Sequence, residues 1–414
     1  MTATEMPVTP GITRSRLPKE LTPMTVLDEL RRLEPEFRAE EDLSAEQRTL
    51  TGRAFTLMQE TGLMRGLQPK RWGGAELSLR EHLTAVYELG RIAPSAGWVA
   101  GVMGSHPWQL ALFPEETQAE IWASDPDWNA SSSYAPTGKI EPVDGGYRVS
   151  GRWSFSSGCD HAQGVILGGF AGKVEVAPGV EVPNYGSALL HRDQYEIEDT
   201  WHVRGSRGTG SKDIVVADAF IPGRRFLSSP LYEYNPDRPA PGMETNPAAL
   251  YKVPWAVMFN LVLVAPMLGL GRRVLDDWTS DTRVRKANWG GTYADDPLMQ
   301  MHLAEAEWVH DAAVMKMYDA IDTITEAAEA GVHLGKRQRA RLRWNITKGC
   351  QDVGFAINRL MRAASGRTVF VDHPLHRVYQ DVVAELGHAF LVSDGVGRYY
   401  GAALLDSSAP EVML

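Results

Sequence analysis

Apolar residues recur every three or four positions in the first part of the chain. Three segments show this spacing: residues 24–40, 44–64 and 78–93. The period is that of an amphipathic helix. We therefore predict a helical N-terminal domain over residues 21–125, preceded by a mobile tail over residues 1–20.

The period changes to two in the middle of the chain. Short runs alternate apolar and polar residues and are separated by Gly, Asp and Pro. The strand-like runs are 145–155, 164–170, 185–191 and 213–222. Several strands at close spacing indicate a small β-sandwich or barrel. We predict a middle β domain over residues 126–227.

A proline-rich connection follows, and the helical period then returns. Residues 228–254 contain six prolines, and a connection of this length is often functional. Residues 255–414 contain long periodic segments, which predict an antiparallel four-helix bundle. The apolar run from Ala256 to Gly271 is shorter than the ~20 residues that span a bilayer, so we interpret it as a buried helix.

Composition narrows the class of protein. Apolar content of 43% and charged content of 23% are ordinary for a soluble globular protein. The predicted order of helical, β and helical regions is that of an α+β fold. A net charge of −10 argues against a nucleic-acid partner. Cys159 and Cys350 are the only cysteines, and the N-terminus lacks the apolar core of a signal peptide. We expect a cytoplasmic protein without a membrane partner.

Several common motifs are missing. The chain has no G-x-x-x-x-G-K-[ST] sequence and no G-x-G-x-x-G after a strand, so neither a P-loop nor a nicotinamide-binding site is predicted. His373 and His376 are separated by Pro374 and lack further ligands, and we predict no metal site.

Four stretches are rich in serine and glycine: 131–138, 151–158, 205–213 and 364–370. Small residues let backbone N–H groups approach a planar or anionic ligand, and serine hydroxyls can donate to ring nitrogens or carbonyls. Each stretch alone could be a β-turn. Three of them in one β region, with aromatic residues between, favour a ring-shaped cofactor.

The stretches WSFSSGCDHA (153–162) and TWHVRGSRGTGSKDIVVADAFIP (200–222) carry a resemblance to a known family, together with SSSYAPTG and HPLHRVYQDVVAELGHA. The chain resembles the oxygenase components of two-component flavin-dependent aromatic hydroxylases. Their 4-hydroxyphenylacetate 3-hydroxylase and secosteroid phenol hydroxylase types have the acyl-CoA dehydrogenase fold. The resemblance covers residues 68–414.

The resemblance implies a reaction and its partners. A separate NAD(P)H-flavin reductase would supply reduced flavin, FMNH2 or the FAD form, and molecular oxygen would be the co-substrate. A C4a-hydroperoxyflavin would then hydroxylate a small aromatic substrate, most simply a phenol. The resemblance also implies a homotetramer in which the flavin site is shared between subunits.

The resemblance also assigns candidate residues. His388 would act on the phenol because the pKa of an imidazole lies near neutrality, and His106 and Ser157 are further catalytic candidates. The predicted flavin contacts are Ser133, Trp153, Ser156, Ser157, Arg285, Ser365, Gly366 and Arg367. The predicted substrate contacts are Trp108, Trp255, Phe259 and His388. A lone histidine, a serine turn or a buried aromatic can equally serve packing alone.

Two alternatives remain open at this point. The same fold supports flavin-dependent N- or S-oxygenases, which need no base for a phenol. An FAD-containing acyl-CoA dehydrogenase is the other reading. Arg377 and Asp381 match its R-x-x-x-D framework, but the position of its glutamate base falls near Ala389. A chain without that carboxylate lacks the base for α-proton abstraction.

Overall fold

The computed structural model describes residues 22–232, 238–287 and 290–407. The predicted tail, residues 1–20, and the end of the predicted C-terminal domain after residue 407 lie outside the described residues.

The N-terminal region is helical. Its helices are α1 (Pro23–Arg32), α2 (Glu34–Gln47), α3 (Gly52–Glu60), α4 (Leu79–Ile92), α5 (Pro94–Leu110) and α6 (Glu115–Trp122). The segment 44–64 is divided between α2 and α3, since Arg48 adopts a left-handed φ of 58° and Thr51 caps the next helix. Helix α5 is buried on nearly every side, so it shows no amphipathic period, and the sequence pattern did not predict it.

The middle region is a β-sandwich. Its strands are β1 (Ala130–Ser133), β2 (Lys139–Val143), β3 (Gly146–Ser156), β4 (Gly164–Ala177), β5 (Val180–His191), β6 (Glu196–Glu198), β7 (Lys212–Pro222) and β8 (Phe226–Ser228). One sheet has the order β1-β4-β5-β8 and the other β2-β3-β7-β6. Side chains of both sheets, including Val149, Val165 and Ile214, form a shared core.

The C-terminal region is again helical. After the short α7 (Ser229–Tyr232), its helices are α8 (Trp255–Val284), α9 (Pro297–Glu329), α10 (Lys336–Arg362), α11 (Pro374–Glu385) and α12 (Ser393–Leu404). Helix α8 is long and apolar enough to cross a membrane by length and composition, but 94% of its most apolar window is buried inside the protein. The predicted buried helix is confirmed.

Helix α8 lies against α4 and α5 at unusually short range. A Cβ atom on Gly269 would come within 2.0 Å of the Tyr87 carbonyl oxygen, and one on Gly101 within 2.3 Å of the Val262 carbonyl oxygen. Only glycine permits this approach. The packing holds the start of α8 beside α5, which also contacts β1, and the candidate site lies where these elements meet.

Candidate active site

A cluster of aromatic rings forms the centre of the candidate site. Phe259, 4% exposed, stacks on Trp255 with ring centroids 4.5 Å apart. Tyr134 meets the same ring edge-on at 4.8 Å, and Trp108 does so at 6.5 Å. The predicted substrate contacts Trp108, Trp255 and Phe259 therefore lie together. Such a wall suits the flat face of an aromatic ligand.

His388 continues this cluster from the turn after α11. Its ring lies 5.6 Å from that of Trp98 and 6.1 Å from that of Phe390. The ring of Phe390 in turn lies 5.9 Å from Trp255. The sequence pattern predicts that the last long helical segment extends through residue 390, but α11 ends at Glu385. The turn directs the imidazole towards the aromatic cluster.

The hydrogen bond of His388 assigns its tautomer. Nδ1 accepts the backbone N–H of Phe390 at 3.2 Å, so the proton of the neutral ring is on Nε2. His388 is half-buried between the two rings, and burial lowers its pKa to about 4. Within the described chain, no protein acceptor takes the Nε2 proton. Nε2–H is therefore available to donate to a phenolate oxygen.

His106 has a different environment. Its Nδ1 donates to the Ala130 carbonyl at 2.6 Å, which leaves Nε2 to accept the Ser132 hydroxyl at 2.9 Å. The residue is fully buried, and this burial lowers its pKa to about 4. Both ring nitrogens are thus occupied. The geometry gives His106 the role of holding β1 and Ser132 against the cluster rather than that of a free base.

We predict that the buried, neutral histidines make the folded protein less stable in weak acid. Above the unfolded-state pKa of about 6.5, neutral His106 carries no penalty. As the pH falls towards the folded-state pKa of about 4, the unfolded chain takes up a proton that the folded chain does not bind. We expect the free energy of unfolding to fall by on the order of 3 kcal/mol from this residue alone.

Urea denaturation between pH 7 and pH 5 tests this expectation. The pH dependence should be shallower in His106→Gln, whereas His333→Gln, at an exposed position, should keep the wild-type slope. An unchanged slope in His106→Gln would contradict the assignment.

A chain of hydroxyl groups leads from Trp98 into the β domain. The Trp98 indole N–H donates to Ser157 Oγ at 3.2 Å. Ser157 and Ser211 share a hydrogen bond of 2.7 Å, and Ser211 and Thr209 share another of 2.7 Å. Of the predicted serines, Ser157 is the one joined directly to the ring that faces His388.

The other predicted serines bond within the sheets. Ser156 is fully buried and donates to Ser131 at 3.0 Å. Ser133 donates to the Ser154 carbonyl at 2.7 Å. Their hydroxyls join β1 to β3, so these two serines stabilise the strand that leads to Ser157.

Trp153 lies in the core of the β domain, which contradicts its prediction as a flavin contact. It is fully buried, and its indole N–H donates to the Gly168 carbonyl at 2.9 Å. A bulge follows it in β3, where the register shifts before Ser156 and Phe155 adopts a φ of 67°. Phe155 is consequently 69% exposed. Trp153 and Phe155 do not share a face, because the bulge breaks the alternation of an ideal strand.

The turn that contains Ser206 is joined to α11, the helix that leads into the turn of His388. Asp381 on α11 accepts the backbone N–H of Ser206 at 2.6 Å. Gly205 lies so close to α11 that a Cβ atom there would be 2.0 Å from the Gln380 carbonyl oxygen. This contact sets the distance between the hydroxyl chain and His388.

The carboxyl group nearest to His388 in sequence is poorly placed as a base. Glu385 is 3% exposed, and burial, with the nearby Asp381 carboxyl, raises its pKa well above the usual range. A carboxyl that stays protonated cannot abstract a proton. Ala389 adds no carboxylate. Neither position therefore supplies, among the described residues, the carboxylate base that an acyl-CoA dehydrogenase requires.

Arg285 and the loop at 365–367 lie together at the end of α8. Arg285 donates to the Ala363 carbonyl at 3.1 Å and lies over the Tyr293 ring at 4.1 Å. Gly366 and Arg367 are exposed, and Ser365 caps the following turn. Within the described residues, no hydrogen bond joins this group to Ser157.

The reactive-looking residues of 159–161 have structural partners. Cys159 is buried, its thiol donates to the Gly210 carbonyl, and burial raises its pKa to about 12. Asp160 pairs with Lys212 at 2.9 Å, and the His161 ring stacks on Phe55. These residues do not form a nucleophilic or metal site.

Sequence reasoning missed several residues of the site. The structure adds Trp98, Tyr134, Ser211, Asn260, Gln351 and Phe390. Asn260 gave a signal, because it is a lone amide in the apolar run from Ala256 to Gly271. Tyr134 and Ser211 lie within the serine- and glycine-rich stretches 131–138 and 205–213. Trp98, Gln351 and Phe390 gave no local signal, since their neighbours come from distant segments.

Comparisons with known proteins agree with this geometry. Residues 261–393 match the family model "Acyl-CoA dehydrogenase, C-terminal domain". The chain is 35% identical to the flavin-dependent monooxygenase oxygenase subunit HsaA of Mycobacterium tuberculosis over 88% of this chain and 91% of that protein. It is 27% identical to the p-hydroxyphenylacetate 3-hydroxylase oxygenase component of Acinetobacter baumannii, over 95% and 92%.

Solved structures show the same relationship. The crystal structure of the M. tuberculosis HsaA monooxygenase superposes with a TM-score of 0.87 at 33% identity, over 95% of this chain and 100% of that chain. The predicted α+β, acyl-CoA dehydrogenase-like fold is confirmed. The chain belongs to the family of flavin-dependent monooxygenase oxygenase subunits that have this fold.

Proposed function

We propose that the protein hydroxylates a phenol, using reduced flavin from a separate NAD(P)H-flavin reductase and molecular oxygen. The observation that carries this proposal is the Nε2–H group of His388, which faces the aromatic cluster. The His388 ring also contacts the Trp98 ring, whose indole N–H donates to the Ser157 hydroxyl. A phenol needs such a donor beside its oxygen, whereas an N- or S-oxygenation does not.

The residues around Ser157 fit a flavin ring. Phe155 presents a 69% exposed aromatic face next to the Ser157 turn, with Trp201 edge-on at 6.0 Å. The Ser157 hydroxyl can hydrogen-bond to a ring nitrogen. Ser157 and Phe155 would hold one edge of the ring system, and bound reduced flavin would supply activation of oxygen.

The chain's own residues bind and orient the substrate. The face of Trp255 and Phe259 positions the phenol ring. Both nitrogens of the neutral His388 ring are committed, so the phenol releases its proton to bulk water as it binds, and His388 Nε2–H donates to the resulting phenolate oxygen. The phenolate makes the ring carbons electron-rich. Buried aromatic walls exclude water, and a dry pocket limits wasteful release of hydrogen peroxide. His106 keeps Ser132 in place at the edge of this pocket.

A coupled assay tests the function. Purified protein is mixed with chemically reduced FMN, or FAD in parallel, oxygen and a panel of simple phenols, and the catechol product and hydrogen peroxide are both measured. We expect catechol formation with part of the panel. Release of all the oxygen as hydrogen peroxide with every phenol would refute the proposal.

We further propose that the protein acts as a homotetramer. Met301, Trp308 and Met315 on α9 are seven residues apart and 46%, 73% and 71% exposed. Residues 369–371, next to the loop at 365–367, are also exposed and apolar. A second copy would cover these surfaces, and it would bring its Arg285 and 365–367 loop towards the Ser157 side of its neighbour.

Trp308→Glu is expected to dissociate the assembly and to weaken reduced-flavin binding at least about tenfold, since a buried interface charge is costly. Light scattering gives the mass, and fluorescence titration gives the flavin Kd. Asp311→Asn, at an exposed position on the same helix, is the matched control. A Trp308→Glu protein with unchanged mass would exclude this face as the interface.

A further inference from the structure

We propose that Thr209 and Ser211 are positioning residues that fix the direction of the Ser157 hydroxyl. Held in this direction, Ser157 can accept a hydrogen bond from a bound flavin but cannot donate one to it. The inference rests on the proposed function for the place of the flavin. It assigns the selection between reduced and oxidised flavin to two residues that act through Ser157.

One end of the hydroxyl chain is a backbone carbonyl, which can only accept. The Thr209 hydroxyl donates to the Ser206 carbonyl at 2.9 Å, and a hydroxyl has one proton to donate. In the 2.7 Å bond between Thr209 and Ser211, the donor is therefore Ser211. By the same count, Ser157 is the donor in its 2.7 Å bond to Ser211. Every hydroxyl of this chain consequently points towards the Ser206 carbonyl.

The other end of the hydroxyl chain is a group that can only donate. The Trp98 indole N–H donates to Ser157 Oγ at 3.2 Å, so this contact uses one lone pair of Ser157 and no proton. Ser157, Ser211 and Thr209 are all buried, and a buried donor or acceptor left unsatisfied is costly. The hydrogen bonds therefore fix one direction for the whole hydroxyl chain. Among the described residues, one lone pair of Ser157 remains for a ligand.

The two turns that carry the hydroxyl chain are joined through their backbones. Gly158 N–H donates to the Thr209 carbonyl at 2.9 Å, which connects the turn after β3 to the turn before β7. Gly158 adopts a φ of 71° and Gly210 a φ of 55°, in the left-handed region that favours glycine. We therefore expect the loss of one hydroxyl to change the direction of hydrogen bonding without moving Ser157.

The flavin nitrogen N5 differs between the two redox states, since it carries a proton in reduced flavin and is an acceptor in oxidised flavin. A Ser157 hydroxyl that can only accept binds the N5–H of reduced flavin, whereas it places a lone pair opposite the lone pair of oxidised N5. The direction of the hydroxyl chain therefore favours reduced flavin, by about two- to tenfold for one net hydrogen bond.

Thr209→Val tests this direction. Valine has a similar shape but no hydroxyl, so Ser211 can turn to donate to Ser157, and the Ser157 proton becomes available to the ligand. The Ser206 carbonyl keeps the Trp201 indole N–H at 3.1 Å, so the change leaves this carbonyl satisfied. We expect oxidised flavin to bind more tightly and reduced flavin more weakly than in the wild type, each by about two- to tenfold.

Both dissociation constants are measured by anaerobic titration of the full chain, without phenol, using FMN and FAD in their oxidised and dithionite-reduced forms. Thr209→Ser restores the hydroxyl and should restore the wild-type ratio of the two constants. Thr323→Val also removes a hydroxyl that donates to a backbone carbonyl, and this matched control should keep the wild-type ratio. Ser157→Ala should weaken binding of reduced flavin and leave that of oxidised flavin nearly unchanged.

The sign of the change separates positioning from a structural role. A purely structural role would weaken binding of both redox forms together in Thr209→Val, and that result, or an unchanged ratio, would overturn the inference. Failure of the proposed function gives a different result, because the titration contains no phenol. A protein that shows the expected ratios but hydroxylates no phenol would refute the proposed function alone, whereas one that binds neither redox form would overturn both.

Discussion

Replacing His388 with asparagine is expected to reduce phenol hydroxylation by about a hundred- to a thousand-fold, the usual cost of losing one well-placed donor to an oxyanion. The imidazole is neutral because burial lowers its pKa to about 4, and its Nε2–H is the donor that can hold the phenolate. Asparagine removes the imidazole, and its smaller side chain fits between Trp98 and Phe390. Oxidation of the reduced flavin by oxygen should continue, with hydrogen peroxide as its product.

The measurement is the ratio of catechol to hydrogen peroxide under single-turnover conditions. His333→Asn is a matched control, because His333 is exposed and lies outside the aromatic cluster. Coupling should remain at the wild-type level in that control. If His388→Asn still converted phenol at the wild-type rate, the phenolate role would be excluded, and an N- or S-oxygenation would become the better reading.

Replacing Gln351 with leucine is expected to lower kcat by up to about a hundredfold, the loss that a misplaced catalytic group can cause. The Gln351 amide on α10 donates to the Leu386 carbonyl at 3.1 Å and to the Leu391 carbonyl at 2.9 Å. These two carbonyls flank His388. Gln351 is therefore a positioning residue that fixes the turn from one side.

Asn260 anchors the same turn from α8. Its side-chain amide donates to the Phe390 carbonyl, and its carbonyl accepts Arg343 Nε at 2.6 Å. Loss of the Gln351 bonds should therefore loosen the turn without unfolding it. This explains the presence of a buried amide in the apolar run at the start of α8.

The test separates positioning from simple structural loss. Gln351→Leu should lower kcat and raise hydrogen peroxide release while the Kd for reduced flavin stays near the wild-type value. Gln351→Glu keeps the shape but loses the donor when ionised, so it should behave in the same way. Gln300→Leu removes an exposed amide bond to the Ala294 carbonyl and serves as control. Parallel loss of flavin binding and of thermal stability would argue for a purely structural role.

Much of the architecture follows from local pattern. Amphipathic spacing predicted most helices, and alternation predicted the main strands, because both patterns reflect which face of an element is buried. The helix Pro94–Leu110 was not predicted, and the reason is the same. A helix that is buried on all sides shows no amphipathic period in its sequence.

The candidate site was predictable only in part. The resemblance pointed to His388 and Ser157, and the structure brings both to the ring of Trp98. Trp153 was assigned wrongly because the bulge after it changes which side chains face outward. A bulge depends on the partner strand β7, and the sequence of β3 alone does not reveal it.

The order of helical and β regions, the absence of common nucleotide motifs and the resemblance to a family are all readable from the sequence. The tautomer of His388, the supporting role of His106 and the interior position of Trp153 become visible only in the folded protein. The physical reason is that these properties depend on contacts between segments far apart in the chain. Burial and hydrogen bonds across those contacts set the pKa of a histidine and the direction of a side chain, and no local pattern encodes them.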